Sequence, residues 1–161
     1  MSDVDTPSRD LELLAPKFRQ AVEAAMLACE AKGLHVKVNE AFRSNARQAF
    51  LFAQGRTRPG PKVTNAPTSL TSWHGYGLAV DVIHKTLAFK PFGDDRAKNE
   101  QWFEDVGAVF KANDCNWGGD WTHPDTPHMQ WGHCRPSPSD RARALIASGG
   151  VQAVWTEVGA D

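Results

Sequence analysis

Hydrophobic residues recur at helical spacing over 16–33, the first strongly patterned stretch of the chain. Pro16 suits the first turn of a helix, and Gly33 is typical of the position just beyond a helix end. The apolar residues between them lie three or four positions apart, which is the spacing of one helix face. These residues are Phe18, Val22, Ala25, Met26 and Cys29. The pattern therefore predicts an amphipathic helix.

Two further helices are predicted over 45–54 and 97–112. Ser44 can cap the first of them, and Gly55 follows its last residue. The second helix has an apolar face at the same spacing. That face is formed by Trp102, Val106, Val109 and Phe110.

A last helix is predicted to begin near residue 140. Ser137 is the expected N-cap, Pro138 suits the first turn, and Asp140 supplies an acidic residue to that turn. The pair Gly149–Gly150 is expected to end the helix, because glycine favours the conformation found beyond a helix C-terminus. The pattern assigns no element to the residues that follow.

Three short stretches predict β-strands. His35–Asn39 alternates, Leu78–Ile83 is apolar with a single exception, and His128–Trp131 follows a proline that keeps the chain extended. Proline and glycine predict a long loop over 55–73 and a turn-rich segment over 116–127. Because helices and strands are mixed without regular βαβ alternation, the predicted fold class is α+β.

The composition is that of one globular domain. The chain has 161 residues, of which 41% are hydrophobic and 23% charged, and its formal net charge is −1. A nucleic-acid clamp would carry an excess of basic residues, and no apolar run approaches the roughly 20 residues of a membrane span. Neither nucleic acid nor stable membrane insertion is therefore expected. The three cysteines, which have no CxxC spacing, are expected to be buried reduced thiols: Cys29, Cys115 and Cys134.

Asp81 is the residue that the hydrophobic pattern does not explain. It is a carboxylate inside an apolar strand, where burial costs several kcal/mol unless the charge is paired or bound to a metal. His74 lies shortly upstream, and Gly75 and Gly77 beside it allow a tight bend of the backbone. Ala79 shares the strand face of Asp81 and leaves room next to it.

Asp125 and His128 form a second candidate cluster. Strand alternation places His128 and Gln130 on one face of the strand, and Met129 and Trp131 on the other. If Met129 and Trp131 pack in the core, His128 faces away from the core and toward a possible site. Two histidines and one carboxylate are a recurring ligand set of catalytic zinc. A separate carboxylate near the metal, such as Asp125, then suits a general base.

Spacing alone leaves other interpretations open. Histidines are often hydrogen-bonded structural residues, and His84, His123 and His133 are rival ligands by composition. Asp120 is either a hydrogen-bond partner of a ligand histidine or a residue that caps its loop. Two tryptophans either line a substrate groove or pack in the core, and three arginines either attract an anionic substrate or form a solvated surface. They are Trp117 and Trp121, and the basic residues Arg135, Arg141 and Arg143.

Several stretches, in the same order along the chain, resemble motifs of one family. Ser72–Val82 (SWHGYGLAVDV) is similar to the signature S-x-H-x-x-G-x-A-x-D, and Asp125–Gln130 (DTPHMQ) to an acid-x-x-His element. Ala41–Gln48 (AFRSNARQ) resembles an Arg-Ser segment, and Phe52–Thr57 and Lys62–Thr64 resemble the sequence before the signature. These motifs are similar to those of the zinc peptidases that cut peptidoglycan peptides, the D-alanyl-D-alanine carboxypeptidase and L-alanyl-D-glutamate endopeptidase family (peptidase M15), in particular its phage endolysin branch.

The resemblance implies roles for individual residues. It implies a Zn²⁺ ion held by His74, Asp81 and His128, with Asp125 as the catalytic base. It also implies that Arg43 polarises the scissile carbonyl or stabilises the oxyanion, a task that suits a guanidinium, which is always charged. Further positions that match the family near substrate are Ser72 and Gln48. The implied fold is a small antiparallel sheet flanked by helices, similar to the Hedgehog and DD-peptidase fold.

The expected protein is one catalytic domain over 1–161, with a core over about 14–150, peripheral segments 1–13 and 151–161, and no separate wall-binding domain. The expected function is that of a monomeric endolysin that hydrolyses the L-alanyl-D-glutamate bond of peptidoglycan stem peptides and lyses the cell. The alternatives are a D-alanyl-D-alanine carboxypeptidase and a non-catalytic zinc fold that binds the wall. Because the first residues resemble no signal peptide, the protein is expected to stay in the host bacterial cytoplasm until the membrane is breached.

Overall fold

Four antiparallel strands form one sheet in the computed structural model, which describes residues 4–161. In spatial order they are β1 (Val36–Glu40), β2 (Ala79–His84), β4 (His128–Trp131) and β3 (Cys115–Trp117). All three neighbouring pairs are antiparallel. The peripheral position expected for residues 1–3 lies outside the described residues.

Four α-helices accompany the sheet. They are α1 (Pro16–Ala31), α2 (Asn45–Ala53), α3 (Arg96–Lys111) and α4 (Asp140–Glu157). Helices α1 and α3 pack against each other, α1 also contacts β1, and α3 contacts β3. The α+β class and the small antiparallel sheet flanked by helices are therefore confirmed. No helix within 4–161 combines the length and the apolar character needed to cross a bilayer.

The predicted apolar faces of α1 and α3 contribute to the core. Phe18, Val22 and Ala25 of α1 are fully buried, whereas Met26 is only partly buried at the edge of the core. The predicted face of α3 is buried throughout. The three cysteines are free and buried, as predicted.

Capping residues account for where two helices begin. Ser44 caps α2, and its Oγ accepts a hydrogen bond from the Arg47 amide at 3.1 Å. The expectation that Ser137 caps α4 is wrong, since Ser139 is the N-cap and its Oγ accepts from the Ala142 amide at 3.2 Å. The two serines lie two positions apart, so the sequence predicted the correct type of N-cap residue at the wrong position.

The C-terminal segment is longer and more integrated than the sequence indicated. Gly150 interrupts α4 with φ 74° and ψ −177°, but helical structure resumes and runs to Glu157. Val154 and Ala160 are buried in the core, and the Ala160 carbonyl accepts from the Lys17 amide at 2.9 Å. Residues 151–161 thus pack against the start of α1.

Strand β3 was not predicted, because the sequence placed most of it in a turn-rich segment. Three residues are too few for alternation to be recognised. The strand forms because β4 offers a free edge, on which Asn116 pairs with Gln130. Trp117 is buried and its Nε1 donates to the Thr126 carbonyl at 2.8 Å, so its role is core packing.

Candidate metal centre and catalytic groove

Three side chains that the sequence singled out meet at the edge of one groove. Asp81 on β2 and His128 on β4 are direct partners across the two strands, and His74 lies on the short 3₁₀ turn that precedes β2. The Asp81 Oδ1 lies 3.3 Å from His74 Nε2 and 3.5 Å from His128 Nδ1. One ligand atom from each residue lies within 4.8 Å of the other two. Within residues 4–161 this is the one such group of potential metal ligands.

The turn that carries His74 depends on two glycines. A side chain at Gly75 would place its Cβ 2.1 Å from the Ser69 carbonyl oxygen, which no side chain tolerates. Gly77 ends the turn in the left-handed conformation, with φ 68°. Ser72 caps the turn, since its Oγ accepts from the His74 amide at 3.3 Å. The chain therefore enters β2 with His74 fixed beside Asp81.

The hydrogen bonds of the His74 and His128 rings determine which nitrogen of each ring faces Asp81. His74 Nδ1 lies 2.7 Å from the Ala41 carbonyl oxygen, and because a carbonyl can only accept, Nδ1 carries the proton. The remaining nitrogen, Nε2, is buried without a hydrogen-bond partner among the described residues and faces Asp81. His128 instead bonds through Nε2 to Gln130 at 2.9 Å, and its Nδ1 faces Asp81.

This donor set fits a zinc ion. An orphaned ring nitrogen in a buried site is costly unless a cation takes its lone pair. Two histidines and one carboxylate are a donor set that zinc takes in catalytic sites, where the fourth position stays open. The rival histidines lie elsewhere: His84 Nδ1 accepts from two backbone amides of its own turn, His133 packs beside Trp131, and His123 is exposed at the groove.

The charges of the site shift its pKa values in opposite directions. Burial and the nearby Arg43 guanidinium lower the pKa of His74 below its ordinary value. Burial alone would raise the pKa of Asp81, but His74, His128 and Arg43 together hold it well below its usual range. Burial opposes a charge on His128, but hydrogen bonding to Asp81 and the charge of that carboxylate raise its pKa. The site therefore keeps Asp81 ionised, as a metal ligand must be.

Arg43 lies at the metal centre, although it is far upstream in the sequence. Its Nη2 donates to Asp81 Oδ2 at 3.0 Å, its Nε donates to Glu40 at 2.8 Å, and its Nη1 lies 3.4 Å from Gln48 Oε1. A guanidinium has five N–H groups, so this arrangement leaves two of them free. Arg43 also lines the groove.

Glu40 is a site residue that the sequence analysis missed. Its carboxylate is 4% exposed and bridges two guanidinium groups, Arg43 at 2.8 Å and Arg47 at 2.7 Å. It also stands opposite Asp81 across β1 and β2, so Glu40, Asp81 and His128 form one row across the sheet. The predicted strand ended one residue too early. Alternation with the buried residues Val36 and Val38 was the signal that Glu40 faces inward.

Gln48 and Ser72, the two positions matched near substrate, are placed differently. Ser72 lines the groove. Gln48 is fully buried behind Arg43, and its Nε2 donates to the Ala66 carbonyl at 2.8 Å and to Thr64 Oγ1 at 3.2 Å. The fold uses both ends of its amide, and the match of Gln48 to a position near substrate stays a prediction. Gln48 ties Arg43 to the loop that forms part of the groove.

Asp125 lies at the open side of the centre. Its Oδ2 is 4.0 Å from His128 Nδ1, and its side chain is 53% exposed. Partial desolvation in the groove, followed by the charge of Asp81, raises the pKa of the Asp125 carboxyl. Gly118 packs directly against the backbone of Asp125. A Cβ at Gly118 would lie 2.4 Å from the Asp125 carbonyl oxygen, so this position requires glycine. Asp125 thus lies beside the three candidate ligands, outside the group whose ligand atoms meet.

The remaining candidates divide between groove and surface. The Trp121 ring lies 5.0 Å from the His128 ring, and Trp121 lines the groove. The Asp120 carboxylate accepts a hydrogen bond from Lys111, and among the described residues it has no hydrogen bond to either candidate ligand histidine. Of the basic residues, Arg143 lines the groove and Arg141 pairs with Glu157 on the surface of α4. The groove has a volume of about 1070 Å³, enough for several residues of an extended peptide.

This chain is similar to several known proteins. Residues 65–131 match a family described as D-alanyl-D-alanine carboxypeptidase. The peptidoglycan L-alanyl-D-glutamate endopeptidase CwlK of Bacillus subtilis is 34% identical over 137 residues, which cover 81% of this chain and 78% of CwlK. Among solved structures, the Serratia marcescens L-Ala D-Glu endopeptidase ChiX aligns with a TM-score of 0.49 and 18% identity over 80% of this chain and 88% of ChiX. The LD-carboxypeptidase LdcB aligns with a TM-score of 0.46 and 14% identity over 95% of this chain and 75% of LdcB.

Proposed function

Because this chain belongs to the M15 family of peptidases, we propose that it is a zinc-dependent endopeptidase that hydrolyses the L-alanyl-D-glutamate bond of peptidoglycan stem peptides. The proposed bond is the one in the name of CwlK, of which the chain covers 78% at 34% identity. The observation that carries the proposed chemistry is the pair of ring nitrogens, His74 Nε2 and His128 Nδ1, that face the Asp81 carboxylate.

His74, Asp81 and His128 would hold the zinc through Nε2, a carboxylate oxygen and Nδ1 respectively. Bound zinc supplies Lewis acidity, which polarises a peptide carbonyl and makes water acidic enough to ionise near neutral pH. The chain contributes the orientation of these ligands. The Ala41 carbonyl fixes the ring of His74 through Nδ1, so this ligand is held before substrate arrives.

Asp125 and Arg43 are the groups proposed to act on substrate. The Asp125 carboxylate takes the proton of the attacking water and later delivers it to the leaving amine, which suits a carboxyl whose pKa is raised toward the working pH. The two unused N–H groups of Arg43 stabilise negative charge that develops on the carbonyl oxygen. Glu40, Asp81 and Gln48 hold the guanidinium in place, so its orientation requires no reorganisation during the reaction.

Digestion of purified peptidoglycan, followed by mass spectrometry, tests the proposed bond. An L-alanyl-D-glutamate endopeptidase leaves L-alanine on the glycan and releases peptides that begin with D-glutamate. A D-alanyl-D-alanine carboxypeptidase, the function named by the matched family, releases free D-alanine instead. Absence of any cleavage by protein loaded with zinc would favour a wall-binding module and contradict the proposal.

Two variants test the metal ligands and the general base separately. His128→Ala is expected to lose zinc, measured by metal analysis after dialysis, and to lose activity with it. Asp125→Asn is expected to keep zinc and fold but to lose roughly 10²–10⁴-fold in kcat, the usual contribution of a general acid or base. Full zinc in His128→Ala would contradict the ligand set, and wild-type turnover of Asp125→Asn would contradict the base.

We further propose that the protein acts as a monomeric endolysin that reaches the wall from the host cytoplasm once the membrane is breached. The support is the resemblance of Phe52–Thr57 and Lys62–Thr64 to the phage branch of the family. Expression in a bacterium, followed by permeabilisation of the inner membrane, is expected to cause lysis with the wild-type chain and none with Asp125→Asn. Sedimentation analysis tests the monomer.

A further inference from the structure

Gln130 is the buried polar residue that the proposed chemistry leaves without a role of its own. It lies on β4, is fully buried, and uses both ends of its amide. Its Oε1 is 2.9 Å from His128 Nε2, and its Nε2 donates to the Arg135 carbonyl at 2.8 Å. A fully satisfied buried amide is costly to assemble and specifies one arrangement of its neighbours.

The Arg135 carbonyl fixes the direction of this chain of hydrogen bonds. A carbonyl oxygen can only accept, so the NH₂ group of Gln130 must face it and the Gln130 oxygen must face His128. That oxygen can also only accept, so His128 Nε2 must carry the ring proton. The lone pair of His128 is then on Nδ1, the nitrogen that lies 3.5 Å from Asp81 Oδ1.

We infer that Gln130 is a positioning residue that holds His128 in the Nε2–H tautomer and thereby turns Nδ1 toward the metal. The part of this inference that concerns metal affinity rests on the proposed zinc site. The same Arg135 carbonyl accepts from Trp73 Nε1 at 2.7 Å, and Trp73 precedes His74 in the sequence. One carbonyl on the loop after β4 therefore braces the segments of both histidine ligands.

The tautomer is measured on the full chain without metal, by ¹⁵N NMR of the histidine side chains. The wild-type protein is expected to show His128 protonated at Nε2. Gln130→Leu removes the oxygen that accepts from His128 and replaces the amide with an apolar side chain of similar size. This variant is expected to give a mixture of His128 tautomers. A neutral wild-type His128 ring that carries its proton at Nδ1 would overturn the inference without the use of any variant.

Zinc affinity, measured by competition with a chelator, is the second readout. Gln130→Leu is expected to bind zinc about 10–100-fold more weakly, the usual effect of removing a group that orients a metal ligand. Gln130→Glu keeps an oxygen that accepts from His128, and its affinity is expected to lie closer to the wild type than to Gln130→Leu. Wild-type affinity and a wild-type tautomer in Gln130→Leu would show that Gln130 only fills space.

Asn116 provides the matched control. It pairs with Gln130 across β3 and β4, and its Nδ2 donates to the carbonyls of Gly132 and Cys134 at 3.2 and 3.3 Å. Asn116→Leu therefore loosens the same loop without touching His128, and it is expected to lower stability while preserving zinc affinity. A wild-type protein that binds no zinc would refute the proposed function, whereas the tautomer measurement would still decide the role of Gln130.

Discussion

The buried carboxylate of Glu40 offers the sharpest test of how the site is held together. Glu40→Gln keeps the size and shape of the side chain and removes its charge. The wild-type carboxylate is 4% exposed, and the two guanidinium groups that it bridges, on Arg43 and Arg47, are 12% and 13% exposed. Both cations would lose a partner in a place where water cannot replace it.

The size of the effect follows from that burial. Breaking a buried ion pair costs roughly 3–5 kcal/mol, because it leaves an uncompensated charge. The glutamine oxygen still accepts a hydrogen bond from one guanidinium, so we expect the lower end, about 3 kcal/mol. In a chain of this length such a loss lowers Tm by roughly 6–12 °C. We also expect kcat to fall about tenfold, since Arg43 loses one of three anchors and small displacements of a catalytic group are costly.

The stability is measured by urea unfolding in the presence of a chelator, so that metal binding does not contribute to the free energy. The turnover is measured with a soluble stem peptide at saturating zinc. Glu12→Gln is the matched control, because Glu12 pairs with Arg19 at the surface and its side chain is 78% exposed. That change should cost less than about 1 kcal/mol and leave kcat unaltered. Equal unfolding midpoints and equal turnover for the two variants would refute the reasoning.

Three further predictions address other parts of the molecule. Gly118→Ala is expected to lower kcat about tenfold or more, because its Cβ would lie 2.4 Å from the Asp125 carbonyl oxygen and displace the proposed base; unchanged turnover would show that the turn yields freely. Burial raises the pKa of Cys29 to about 11 and of Cys115 and Cys134 to about 12, so a thiol reagent at pH 8 should label these residues only after unfolding. Because unfolded thiols ionise first, the free energy of unfolding should fall as pH rises above about 9, and a rise would contradict the burial. Removal of zinc should lower Tm in scanning calorimetry. The Tm difference between the protein with zinc and the protein without it should grow with the concentration of free zinc.

The residues of the candidate metal site could be identified from the sequence because a charged residue at a position that the pattern predicts to be buried requires an explanation. Asp81 interrupts an apolar strand, and the alternation of β4 separates His128 from the core residue Met129. Glu40 obeys the same logic, but the predicted strand stopped one residue before it. A one-residue error at a strand end therefore hid the carboxylate that organises both arginines.

Other features could not be read from local sequence because they depend on contacts between distant segments. Strand β3 exists only because β4 provides an edge for it, and the helical end beyond Gly150 is stabilised by packing against α1. The buried position of Gln48 results from the fold of the loop over 62–67, which closes over its amide. The role of Gln130 likewise requires the Arg135 carbonyl, whose direction no pattern of side chains predicts.

The placement of the three ligands also sets an order in which the site can form. His74 and Asp81 are close in the sequence and can approach each other in an unfolded chain, whereas His128 joins them only when β2 and β4 pair. Pairing of strands so distant in sequence carries a loop-closure cost and is a slow, late event in folding. A zinc ion at the proposed site would therefore gain its third ligand only with the sheet, and we expect it to retard unfolding far more than it accelerates refolding.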